Sequence, residues 1–169
     1  MRTFPPIPSP AWAREPLNRV WKLPERTAAY FAPPHMTLVP ATTQFGRLEH
    51  RGGPLALLLT IAFDNNSTQR VLLRSLAIKY AGSWYHPLHF LGDRVHLWYN
   101  HGQHNLPLPR AQSLIAAPYI PAAAAAERYA LFRLPDSWDR WPTHLRVTAK
   151  ATFVHRRARS LVVTLTNSP

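Results

Sequence analysis

The sequence predicts an all-β fold in which antiparallel sheets pack face to face. Apolar and polar residues alternate along several runs, which is the period of a strand with one buried face. The clearest pair of runs, residues 55–63 and 71–80, is joined by a short polar segment. A second pair, residues 145–154 and 161–166, is joined by a basic segment. Alternating runs with turn formers between them indicate strands that pair as antiparallel neighbours.

The composition is that of one globular domain. The chain has 169 residues, enough to bury a core of its own. Hydrophobic residues make up 46% and charged residues 17%, which excludes a disordered chain. The absence of cysteine excludes disulfides and thiolate metal sites. The 18 prolines predict turns, edges and extended segments, because proline breaks helix interiors and donates no hydrogen bond to a sheet.

No apolar run is long enough to cross a bilayer, and residues 1–8 lack the apolar stretch of a signal peptide. We therefore expect no transmembrane segment. We expect a cytoplasmic protein or a component of a protein assembly.

Residues 1–45 differ from the rest and predict an N-terminal arm, with a sandwich domain at residues 46–169. The arm contains nine prolines and no glycine, which favours extended polyproline conformations. It carries more aromatic residues than a solvated linker, so we expect it to lie on a protein surface, its own or a partner's. The aromatic residues that we expect to contact a partner are Phe4, Trp12, Trp21, Tyr30 and Phe31.

The first elements follow from local patterns. Residues 24–31 predict a short helix that begins with a proline, and residues 46–53 predict a hinge. In the strand at 55–63, Leu58 interrupts the polar face, which indicates that both faces are partly covered. In the next strand, Arg74 disturbs the alternation, and we expect a bulge near it that restores the register.

The later elements are less regular. Residues 95–99 predict a short strand between histidine-rich loops, and the prolines of residues 106–121 predict an edge strand or an irregular connection. The alanine run at 122–126 leaves a short helix and a loop open, and we favour a loop that leads into a strand at 129–134. Residues 135–139 predict a turn.

These strands number roughly five to seven over residues 46–166, which is the pattern of an immunoglobulin-like sandwich. The chain lacks the Cys–Trp–Cys spacing of antibody-type domains. The segment Phe63-Asp64-Asn65-Asn66-Ser67, the expected turn at 82–85 and the run at 120–135 resemble stretches of small bacterial immunoglobulin-like domains. The resemblance implies an accessory or adhesion-type module without catalysis.

Histidines give the first candidate site. Five of nine lie between residues 86 and 104, and their spacing suits chelation of zinc or copper by imidazole. However, the region predicts strand and loops rather than the helical turn that this spacing favours, and no glutamate accompanies it. We favour exposed loop histidines and keep a metal-binding module as the alternative. Its ligands would be His86, His89, His101 and His104.

Arginine gives the second candidate site. The net charge of +12 rests on 17 arginines and three lysines. An anionic partner and the residue preference of a GC-rich genome both explain it, and we favour the genome because the arginines are spread along the chain. The one tight cluster is Arg156, Arg157 and Arg159, in a predicted turn. It predicts contact with phosphate or nucleic acid, or a solvated turn that discourages aggregation, and we favour the turn.

Other patterns favour structural roles. The pairs Trp84-Tyr85 and Trp98-Tyr99 favour plugs at the ends of the sandwich over a binding surface. The glycosylation-like pattern at residues 65–68 fits turn chemistry.

The sequence contains no catalytic motif. It has no glycine-rich phosphate loop, no Gly-x-Ser-x-Gly elbow and no paired carboxylates at strand ends. We therefore predict a non-enzymatic protein-interaction or assembly module without a cofactor, which docks on a protein partner or on itself through the arm. Metal binding and anion or nucleic-acid binding are the alternatives.

Overall fold

The alternating runs form strands in the computed structural model, which describes residues 32–90, 92–135 and 144–166. All of these residues belong to one unit of the chain, which begins at Ala32. The strands of this part are β1 (His35–Leu38), β2 (Gln44–Leu48), β3 (Leu55–Asn65), β4 (Val71–Tyr80), β5 (Ser83–Tyr85), β6 (Arg94–Tyr99), β7 (Gly102–Pro107), β8 (Tyr119–Ile120), β9 (Ala124–Arg133), β10 (His144–Phe153) and β11 (Arg156–Thr166). Short 3-10 turns lie at Pro40–Thr42 and Arg110–Gln112.

The strands build two antiparallel sheets, which confirms the all-β prediction and agrees with a β-sandwich. In the first sheet, β9 pairs with one edge of β3, and β1 and β2 pair with successive parts of the other edge. The strands β6 and β7 follow beyond β2. In the second sheet the order is β11–β10–β4, and both β5 and β8 pair with the far edge of β4. Among the described residues, no helix has the length and apolar character that a membrane span requires.

The main core lies between the two sheets and is filled by alternate residues of their strands. Leu57, Leu59 and Ile61 of β3 are fully buried and face the second sheet. Phe63 meets Phe153 of β10 edge to face, with 6.1 Å between ring centroids. Burial of this apolar surface is the main source of stability, at about 25 cal/mol for each Å² removed from water.

A second, smaller core covers the other face of β3, as Leu58 predicts. Ala56 and Leu58 alternate with the residues of the main core, and they pack with Leu131 of β9 and Leu97 of β6. The hairpin of β6 and β7, the loop after β5, Leu48, Leu108 and Tyr129 supply the rest of this cluster. The strand β3 is therefore buried on both faces, which explains its nearly continuous apolar sequence.

The predicted bulge is present in β4. Ser75 pairs with Thr152 of β10, whereas the next pair joins Leu73 to Phe153, so Arg74 is an extra residue in β4. A bulge inserts one residue without moving the flanking residues to the wrong face. Leu73 and Leu76 consequently both point into the core.

Part of the predicted arm belongs to the sandwich. Residues 35–38 and 44–47 pair with β3, and Met36 and Phe45 are buried in the main core. The sheet therefore begins well before residue 46. Pro40 lies in the short turn that separates β1 from β2, where proline costs no ladder hydrogen bond.

Three further elements differ from the sequence predictions. The alanine run joins the strand, because β9 begins at Ala124 and pairs with β3 over its whole length. The predicted basic turn is shorter, since β11 already begins at Arg156. The expected turn at 82–85 lies instead at Ala81 and Gly82, and β5 follows it. The helix predicted at 24–31 and, apart from Pro135, the turn predicted at 135–139 lie outside the described residues.

Candidate functional site

The candidate site is a cleft of about 370 Å³ on the side of the sandwich. Two connections between the sheets flank it. The first follows β5 and reaches the first sheet where the Leu88 amide donates to the Leu131 carbonyl at 2.7 Å. The second follows β7 in the chain. It contacts β9 near Leu114 and reaches β4 where the Leu73 amide donates to the Pro118 carbonyl at 2.9 Å. The space between these connections is the side cleft.

The floor of the side cleft is an unpaired stretch of strand edge. On the edge of β4 that faces away from β10, β5 pairs with residues 78–80 and β8 pairs with residues 71–72. Residues 74–77 have no strand partner on this edge within the described part of the chain. The cleft runs along this stretch and is lined by residues 73–76. Such an edge is a template for one more strand.

The walls of the side cleft are apolar and its rim is cationic. Leu114 and Ile115 line it, and the Ile115 side chain is 37% exposed. Arg74, His86 and His89 also line it, and all three are exposed. No acidic residue belongs to the lining, and no described residue forms a hydrogen bond or ion pair with Arg74. The surface therefore suits an apolar group with a carboxylate beside it.

One wall is fixed by a buried arginine. Arg128 of β9 is 9% exposed and donates hydrogen bonds to the carbonyls of Ala117 and Tyr119, the former at 2.6 Å. A third bond goes to the carbonyl of Glu127. Burial lowers the pKa of the Arg128 guanidinium, because removal from water penalises the charged form. These backbone acceptors satisfy the buried cation and hold the wall in one position.

The predicted histidine set is divided between two places. His86 and His89 lie at the side cleft, whereas His101 forms the turn of the β6–β7 hairpin with a φ of 60°. His104 stacks on Tyr99 with 3.9 Å between ring centroids. Burial raises the pKa of Tyr99 above its ordinary value. In the described part of the chain, no three His, Asp or Glu side chains are placed to hold a metal ion.

The predicted basic cluster is also divided. Arg156 donates to the carbonyl of Ala32 at 2.9 Å and to the Ser67 hydroxyl at 3.2 Å, so it ties the start of the domain to the β3–β4 connection. Arg157 and Arg159 are exposed on β11. Arg156 is therefore occupied by structural contacts rather than presented at a turn.

The predicted partner-binding aromatics of the arm, Phe4, Trp12, Trp21, Tyr30 and Phe31, lie outside the described residues. No sequence pattern indicated Leu114 and Ile115 as site residues. The prolines of residues 106–121 predict an irregular connection, but they do not indicate which strand that connection passes.

The chain was also compared with known proteins. No protein-family model matches it, and no curated protein is similar enough to count as a relative.

Proposed function

We propose that the chain is a non-enzymatic, immunoglobulin-like module that binds an extended segment of a protein partner in the side cleft. The observation that carries the proposal is the unpaired edge of β4 beside an apolar cleft with a cationic rim.

The strand order supports the immunoglobulin-like type. In variable-type domains one sheet contains strands A, B and E as neighbours, and the other has the order G–F–C–C′. Here β2–β3–β9 corresponds to A–B–E, and β11–β10–β4–β5 corresponds to G–F–C–C′. The β6–β7 hairpin is added beyond the A strand.

The chemistry of the cleft supports recognition rather than catalysis. An added segment can pair with the β4 edge, and its side chains can fill the space between Leu114 and Ile115. A carboxylate on that segment would meet Arg74, which has no described partner. The one hydroxyl of the lining, Ser75, shares a 2.6 Å hydrogen bond with Thr152, which is not a general base.

Selection from a displayed library of random peptides tests this function. We expect the enriched peptides to carry an aliphatic or aromatic residue next to Asp or Glu. Ile115→Arg should abolish enrichment, because the long cationic side chain fills the cleft and repels the rim. Arg74→Glu should change the preferred neighbour from an acidic to a basic residue.

Val162→Arg is the matched control, because Val162 is also an exposed aliphatic residue but lies on β11 outside the cleft lining. It should select the same peptides as the unchanged protein. Enrichment that survives Ile115→Arg, or no enrichment at all, would contradict the proposal.

The N-terminal arm is a second proposed contact with a partner or with another copy of the chain. Its support is the aromatic and proline content of residues 1–31. Residues 1–31 contribute nothing to the described lining of the side cleft, so the two proposed contacts can be removed by separate mutations.

A further inference from the structure

Charge is distributed unequally between the two sheets. The strands β4, β5, β10 and β11 contain no Asp or Glu. They contain seven basic residues, which are Arg74, Lys79, Arg146, Lys150, Arg156, Arg157 and Arg159. By contrast, the strands of the first sheet have four arginines and two acidic residues. The second sheet therefore carries most of the positive charge of the strands.

Part of this charge is gathered on the outer face of the second sheet. Register places Trp84, Lys79, Thr148 and Val162 in one row across four strands. Their neighbours in sequence, such as Ile78 and Val147, point into the core, so the row points outward. We call the surface formed by Lys79, Trp84, Arg146, Thr148, Lys150 and Val162 the basic face.

Three cations of the basic face are close enough to act together. Thr148 lies opposite Lys79, so Arg146 and Lys150 are the two diagonal neighbours of Lys79. Diagonal positions on adjacent antiparallel strands are about 7–8 Å apart. The side chains of Arg146 and Lys79 have no hydrogen bond or ion pair with any described residue. The three cations form a short track that an anionic chain can follow.

An exposed aromatic ring lies beside this track. Trp84 is 46% exposed, and the Lys150 ammonium lies 5.8 Å from the centroid of its ring. Thr148, which is part-buried, adds a hydroxyl group between Arg146 and Lys150. A base can stack on the tryptophan while the cations and this hydroxyl contact phosphates.

We propose that the basic face binds single-stranded nucleic acid. A duplex is read by a helix or a ribbon that enters a groove, whereas this face is a sheet surface without a projecting element in the described part. A flat sheet with an exposed aromatic and free cations matches the recognition of unpaired bases. The basic face shares no residue with the lining of the side cleft, and its proposed ligand does not depend on the function proposed there.

Fluorescence anisotropy of the full chain with a labelled oligodeoxythymidylate of about 15 nucleotides tests the proposal. We expect affinity to fall with salt, with a slope of log K against log salt of about −2 for three phosphate contacts. The double variant Lys79→Gln, Lys150→Gln should reduce the size of this slope by about 1.4. Trp84→Ala should weaken binding about tenfold through lost stacking, and Trp84→Phe should retain most of it.

The matched control is the double variant Arg94→Gln, Arg133→Gln, which removes the same charge from exposed positions of the first sheet. It should leave the slope and the affinity nearly unchanged. An equal loss in both double variants would mean that net charge alone drives binding, and would overturn the site.

Two further probes distinguish nucleic acid from other anionic ligands. Phosphatidylserine vesicles and polyglutamate are titrated against the same variants. The proposal would be overturned, in favour of a membrane or an acidic protein, if either probe bound more tightly than the oligonucleotide and if Trp84→Ala weakened binding of that probe but not of the oligonucleotide. The proposal would be supported if both probes bound more weakly than the oligonucleotide and if Trp84→Ala left their affinity unchanged.

Discussion

Asn65 at the end of β3 uses both ends of its side-chain amide although it is only 2% exposed. Its nitrogen donates to the carbonyls of Gln69 and Pro121, at 2.8 and 2.7 Å. Its oxygen accepts from the amide and the hydroxyl of Ser67. The bonds to residues 67 and 69 are the turn chemistry that the sequence predicts. The bond to Pro121 joins segments that are distant in sequence, and no local pattern indicates it.

Asn65→Asp should destabilise the domain by about 2–3 kcal/mol, because a carboxylate would place an acceptor against two carbonyl acceptors in a buried position. Chemical denaturation monitored by circular dichroism measures the change in the free energy of unfolding. Asn66→Asp is the control, since Asn66 is exposed and makes no described hydrogen bond. Equal stability of the two variants would show that the buried amide contributes little.

The connection from β2 to β3 is the clearest case at the level of elements. The sequence predicts a hinge at residues 46–53, whereas Gly46 lies inside β2 and Gly53 closes a tight turn. The Leu48 amide donates to the Pro54 carbonyl, and the Gly53 amide donates to the His50 carbonyl, both at 2.9 Å. A Cβ atom on Gly53 would lie 1.9 Å from the Leu48 carbonyl oxygen. Glycine is required there by close backbone approach rather than by flexibility.

Gly53→Ala should therefore cost about 1–3 kcal/mol of stability or more, because the overlapping atom is backbone and cannot move aside easily. Thermal unfolding measures the expected decrease in melting temperature. Gly52→Ala is the matched control, since a Cβ there would meet only the His50 ring at an ordinary distance of 3.6 Å. Equal melting temperatures of the Gly53→Ala and Gly52→Ala proteins would refute this account of the turn.

At the scale of the whole molecule, the position of β1 and β2 decides where the domain can be cut. The strand β1 lies within the proline-rich segment that the sequence assigns to the arm, and β2 begins there; they bring Met36 and Phe45 into the main core. Thr43 connects the same segment to β3, because its hydroxyl accepts from the Thr60 amide at 3.0 Å. The unit that contains both sheets begins at Ala32.

Two deletions separate folding from docking. Removal of residues 1–31 should leave a folded domain, whereas removal of residues 1–45 should unfold it, since truncation of a single large core side chain already costs about 2–5 kcal/mol. Circular dichroism checks the fold of both proteins. Native mass spectrometry then compares the full chain with the shorter deletion.

If the arm docks on another copy, the full chain should form oligomers that the protein without residues 1–31 does not form. If it docks on a different partner, both proteins should be monomers, and only the full chain should retain that partner. Oligomers of the same size in both proteins would contradict an assembly role for the arm.

Features that depend on neighbouring residues could be predicted from the sequence. Alternation with period two located β3, β4, β6 and β10, and the misplaced Arg74 predicted the bulge, because side-chain direction along a strand is a local property. Which strands pair became visible only in the folded chain. Folding placed β1 and β2 in the sheet despite the prolines that flank them, left one edge of residues 74–77 without a strand partner among the described residues, and gathered Lys79, Arg146 and Lys150 on one face. These features depend on pairing between segments far apart in the chain, and that pairing is set by the burial of a shared core rather than by any local pattern.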